Sequence, residues 1–215
     1  MNHTTFSKGI TVGLAMFAAV ALGACKGKDQ YAANDSARAA NDSAAGRVDT
    51  THRADSVAAA NAANNGWTPV AIVSYLMVSD SNEIREGRLV EKKATNAQVK
   101  AYGRQLVTDH QAGLSEAKGL ASKMNVTYDS TNDNAKDLLG KGRDDLKDLN
   151  DAKAGKDWDK KFLDHAIDDH QHVLDKLQDA SKNTTDPQLR AALEKTTGKV
   201  QEHLTKAQDL KAKMP

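Results

Sequence analysis

The sequence is poor in the residues that build β-rich, disulfide-bonded or nucleic-acid-binding proteins. It has one cysteine in 215 residues, which excludes an intrachain disulfide and any zinc finger built on several cysteines. It has three prolines, and aromatics make up only 4%. That scarcity argues against a sandwich or barrel, whose strands favour aromatic and β-branched residues and are punctuated by turn residues. It also lacks an excess of charge of either sign, with 30 Lys and Arg against 29 Asp and Glu. Such a balance gives no broad basic field, so nucleic acid is not expected as a partner. Walker, Rossmann, Gly-x-Ser-x-Gly and His-Glu-x-x-His motifs are absent. Nothing sets a nucleophile beside a base, and enzymatic activity has no support in the sequence.

What is present begins with an address. Lys8 precedes an apolar stretch, ITVGLAMFAAVA, at residues 10–21. This is short for a membrane span, which needs about 20 residues, but suits a secretory signal. It ends in Leu22-Gly23-Ala24-Cys25, which resembles a bacterial lipobox, and the lone cysteine falls at the position that is lipidated there. Residues 1–24 are therefore expected to be a lipoprotein signal peptide, with Cys25 acylated as the mature N-terminus. The alternatives are an ordinary signal or an uncleaved anchor. The expected partner is a membrane, reached through that lipid at about 0.8 kcal/mol per buried methylene. Lys26 rather than Asp follows the cysteine, which points to the outer membrane, facing the periplasm. Cleavage removes Lys8 and leaves 29 side chains of each sign.

Residues 25–66 are rich in Ala, Asn, Asp and Ser, and the hexapeptide AANDSA occurs at 32–37 and again at 39–44. A solvated tether is the reading preferred, because so few large apolar side chains cannot offset the entropy of ordering. The other reading is a loose alanine-rich helix that self-associates.

Residues 67–215 carry helical periodicity throughout and no sustained alternation. Helices are expected at 69–94, from Thr95 to about 124, at 134–154, at 157–182 and from Pro187 to about 213. Thr95 and Gln98 suggest a capping box, Gly155 a C-terminal stop, and Asp186-Pro187 a cap followed by a first-turn proline. Two hairpins of long helices, joined by a crossover that contains a shorter helix, make an all-α, ferritin-like four-helix bundle with one extra helix.

Residues 83–126, together with Trp158-Asp159, His170 and Glu202-His203-Leu204, resemble the bacterial domain-of-unknown-function family four-one-four-two. Glu83, Gly87, Val99-Lys100 and Asp109-His110 carry most of the likeness. The resemblance implies a ferritin-like bundle in a secreted or envelope protein. It implies no reaction.

One constellation interrupts the apolar stripes. Glu83, His110, His170 and His203 sit one on each long helix, at helical spacing from apolar neighbours. Counted from the hairpin turns at 1.5 Å per residue, all four fall in the middle third of rods about 38 Å long. Three neutral imidazoles and a carboxylate suit zinc, copper or iron. The di-iron pattern Glu-x-x-His is not met, because Val107 and Ile167 stand three residues before His110 and His170. The competing reading is a core polar layer, hydrogen-bonded within itself or to Asp109 and Asp169, that sets helix register without a ligand. A second group on the fourth helix, His165, Asp168, Asp169 and His172, shares one face by spacing and reads as solvated. Two functions thus stand side by side: a non-catalytic binding or envelope-maintenance role, and periplasmic transition-metal binding.

Overall fold

The computed structural model describes residues 65–214. The expected signal peptide, Cys25 and the tether up to residue 64 lie outside the described residues. Five helices follow in order: α1 Pro69–Lys93, α2 Ala97–Met124, α3 Asp133–Asp151, α4 Lys156–Asn183 and α5 Pro187–Ala212. Among the described residues there is no strand, and no helix is long and apolar enough to cross a membrane.

Local chemistry sets the helix ends. Thr68 caps α1 by accepting from the Ala71 amide, with Pro69 in the first turn, where a missing N–H costs nothing. Asp186 caps α5 by accepting from the amides of Gln188 and Leu189 at 2.8 and 3.0 Å, again just ahead of a proline. Two expectations at helix ends are corrected. Asn96, not Thr95, caps α2, because Thr95 is held elsewhere. Its amide and hydroxyl, with the Asn96 amide, donate to the buried carboxylate of Asp159 on α4. Gly155 does not end α3; it stands at the N-terminus of α4. Helix α3 stops at Asp151, where Lys93 donates to the carbonyls of Leu149, Asn150 and Ala152, and the Trp158 indole donates to Leu149. These side chains satisfy carbonyls that a helix end leaves without partners.

Helix α1 packs on α2 and α4 on α5, the two hairpins meet along α2–α5 and α1–α4, and α3 lies along α1. The α1–α2 approach depends on two glycines. A Cβ on Gly87 would lie 2.7 Å from the Gly103 carbonyl, and one on Gly103 would lie 2.6 Å from Val90 Cγ1. Only hydrogen at both positions lets these backbones close to contact.

The apolar core comes in two clusters. One gathers Trp67, Ile72, Tyr75, Leu177 and Leu193, and the other Val90, Tyr102, Leu106, Trp158 and Phe162. Asp80, Glu83 and Glu86 on α1, His110 on α2, and Asp169 and His170 on α4 fall between the two along their helices, and His203 on α5 lies beside their junction. They form a belt across the middle of the bundle.

Candidate metal centre

Helices α2, α4 and α5 each place one histidine in this belt. His110, His170 and His203 are 5%, 2% and 0% exposed. Their ring centroids lie 5.0 Å apart for His110–His203, 5.5 Å for His170–His203 and 6.3 Å for His110–His170. One nitrogen of each ring lies within 4.8 Å of one on each of the others.

Each ring is tied down through one nitrogen. His110 Nδ1 meets Asp80 Oδ1 of α1 at 2.8 Å, His170 Nδ1 meets the Ala166 carbonyl at 2.6 Å, and His203 Nε2 meets Asp109 Oδ2 of α2 at 2.8 Å. The other nitrogen in each case, His110 Nε2, His170 Nε2 and His203 Nδ1, is buried and has no hydrogen-bond partner. Buried polar atoms are rarely left so. A ring N–H directed at a carboxylate or carbonyl fixes the tautomer and leaves the second nitrogen with a free lone pair, as metal-ligating histidines are held.

Electrostatics favours neutral rings at His170 and His203. Burial pushes the His170 pKa down to about 3, with His110 and His203 adding to the shift. Burial also holds His203 below the ordinary imidazole range, against its hydrogen bond to Asp109. At His110 burial pulls the same way, but the bond to Asp80 and the carboxylates of Glu83, Asp80 and Asp109 outweigh it, and its pKa stands above the usual value.

The structure places the fourth expected residue apart. Glu83 belongs with Glu86 and Asp169, whose carboxylates have oxygens within 4.8 Å of one another. Glu83 Oε1 is 3.8 Å from His170 Nδ1, the nitrogen already turned to Ala166. Burial is the first cause of a Glu83 pKa pushed up to about 7.

The face read as solvated on α4 divides. Asp168 is exposed and His172 half-buried, but Asp169 is buried and ion-paired with Lys141 of α3. His165 sits between Asp145 and Asp148 of α3 at 3.3 and 3.1 Å. The reason is α3, which covers that side of α4. Glu86 was missed in the sequence, although it stands one helical turn from Glu83 and so on the same face.

The family model described as a domain of unknown function, DUF4142, matches residues 52–210, starting inside the segment that composition reads as a tether. No curated protein matches the chain. Among solved structures, the DUF305 protein of Streptomyces coelicolor, whose name calls it secreted, is 12% identical with a TM-score of 0.57, over 69% of this chain and 94% of that one. At that identity the likeness shows the fold alone, an all-α helical bundle.

Proposed function

The chain belongs to the DUF4142 family, and on that premise we propose that it is a lipid-anchored cell-envelope protein that holds a transition metal, without catalysis, at His110, His170 and His203. The observation that carries the reading is the set of three buried imidazole nitrogens with no partner, on rings anchored by Asp80, Ala166 and Asp109. An all-imidazole set suits zinc or copper better than iron, whose usual facial site includes a carboxylate. Three protein ligands leave a fourth position for water or a transferred group. The lipid anchor rests on Leu22-Gly23-Ala24-Cys25.

The deciding experiment is metal analysis and zinc titration of the chain purified without a histidine tag. About one zinc per chain is expected, and the His110→Ala, His203→Ala double variant should hold none. A wild-type chain that binds neither zinc nor copper, with unchanged melting on addition of either, overturns the metal reading. The anchor is checked separately by radiolabelled palmitate in the native host, where Cys25→Ser should abolish the label; label that persists in that variant would remove the anchor reading.

A further inference from the structure

Glu83, Glu86 and Asp169 occupy the same belt as the histidines but a different corner of it, between α1, α3 and α4. We propose that these three carboxylates form a second cation site, for a hard divalent ion that prefers oxygen, beside the imidazole site and independent of it.

Four observations carry this. An oxygen from each residue lies within 4.8 Å of one on the other two, the spacing of ligands around a shared ion after slight contraction. Glu83 and Glu86 are 6% and 2% exposed, and Glu83 Oε2 and Glu86 Oε2 have no hydrogen-bond partner. All three residues line a cavity of about 10 Å³, the space of one water or one small ion. Finally, the local charges do not balance. Lys141 is the one ammonium lining that cavity, beside the carboxylates of Glu83, Glu86, Asp145 and Asp169. It already pairs with Asp145 at 2.7 Å and with Asp169. Among the described residues the two glutamates thus share a low-dielectric interior with no lysine or arginine paired to either. Two such charges can stay buried only with a counter-ion or with protons.

Asn82 and Gly142 shape the wall. Asn82 donates to the Leu138 carbonyl of α3 at 2.9 Å, and a Cβ on Gly142 would meet Asn82 Nδ2 at 2.1 Å. Helix α3 therefore closes over the carboxylates and seals them from bulk water. An all-oxygen set selects manganese or magnesium, whereas the neighbouring all-nitrogen set selects zinc or copper.

The test titrates Mn²⁺ into the untagged chain and follows loss of the free-ion electron paramagnetic resonance signal, with circular dichroism to confirm folding. About one Mn²⁺ per chain is expected. Glu86→Gln should weaken Mn²⁺ at least about tenfold and leave zinc binding unchanged. The His110→Ala, His203→Ala variant should do the reverse, so each site can fail without the other. If Glu86→Gln does not fold, Asp169→Asn serves in its place. Absence of Mn²⁺ binding in the wild type, or equal binding by the carboxylate variants, overturns the proposal. In that event the glutamates hold protons instead, and Glu86→Gln melts no lower than wild type in metal-free buffer.

Discussion

His170 and Glu86 are equally sealed from water, each with 2% of its surface exposed, yet burial acts on them in opposite ways. The imidazole loses its proton and becomes neutral, because desolvation penalises the cation. It then sheds the cost of a buried charge, with one nitrogen bonded and the other left without a partner. The carboxyl group can become neutral only by gaining a proton, and desolvation drives it that way, its pKa standing well above the ordinary range. Burial thus keeps His170 a neutral donor, whereas the acidic cluster must take up either protons or a positive partner. Two polar clusters in one belt, on shared helices, present different chemistry because their side chains respond differently to the same desolvation.

The two clusters rest on one frame, and the largest expected effect comes from disturbing it. Gly103→Ala would drive a methyl group into Val90 and the Gly87 carbonyl. Overpacking of this kind costs typically 1–3 kcal/mol, so a loss of about 3 kcal/mol in urea unfolding is expected. Both clusters should be hit together, since Glu83 is one turn from Gly87 and His110 two turns from Gly103. Weakened zinc with untouched Mn²⁺ in this variant would show that the belt is not one mechanical unit.

A smaller change should separate the clusters. Asp80→Asn keeps the shape of the group that orients His110 but removes its charge. Zinc affinity is expected to fall about tenfold, or about 1.4 kcal/mol, as for the loss of outer-shell support to a ligand. Isothermal titration checks it, and Mn²⁺ binding should be unchanged. Equal zinc affinity in Asp80→Asn would mean that the carboxylate is a passenger.

The last expected effect is on the pH dependence of the metal-free chain. The folded-state pKa of Glu83, about 7, lies above its ordinary 4.5. Its contribution is therefore complete below about pH 4.5 and is lost as pH rises through 7. His170 runs the other way. Its folded value of about 3 lies below 6.5, so stability is lost as pH falls from 6.5 towards 3. Glu83→Gln should consequently gain on the wild type at about pH 8 in chelator and show no gain at about pH 4. Thermal melts across that range check it, and a gain largest at low pH would reverse the assignment.

Position along a helix is legible in the sequence, because one dimension is enough. The rise per residue is constant in a helix, so counting from the turns placed Glu83, His110, His170 and His203 in the middle third of the rods, where the belt lies. Rotation and neighbour choice are different quantities. Asp109 adjoins His110 in the chain but bonds His203 across the α2–α5 contact, while His110 takes Asp80 from α1. Thr95 looked like a cap because its spacing to Gln98 is right, but a carboxylate from α4 reaches it first. Glu86 could have been noticed as the turn-mate of Glu83. Its burial could not, because Glu86 carries no local mark of the helix that covers it.

The sequence by itself determined the all-α class, the number and approximate limits of the helices, the sides they bury and the level at which polar residues enter the core. All of these follow from short-range rules: periodicity, capping and a fixed rise per residue. The tertiary structure alone decided that α3 lies on α1, that Lys141 and Gly142 close a carboxylate pocket, and that three imidazoles converge while Glu83 turns away. Those outcomes depend on how helices rotate and cross, and interlocking side chains on several helices at once set that rotation and those crossings.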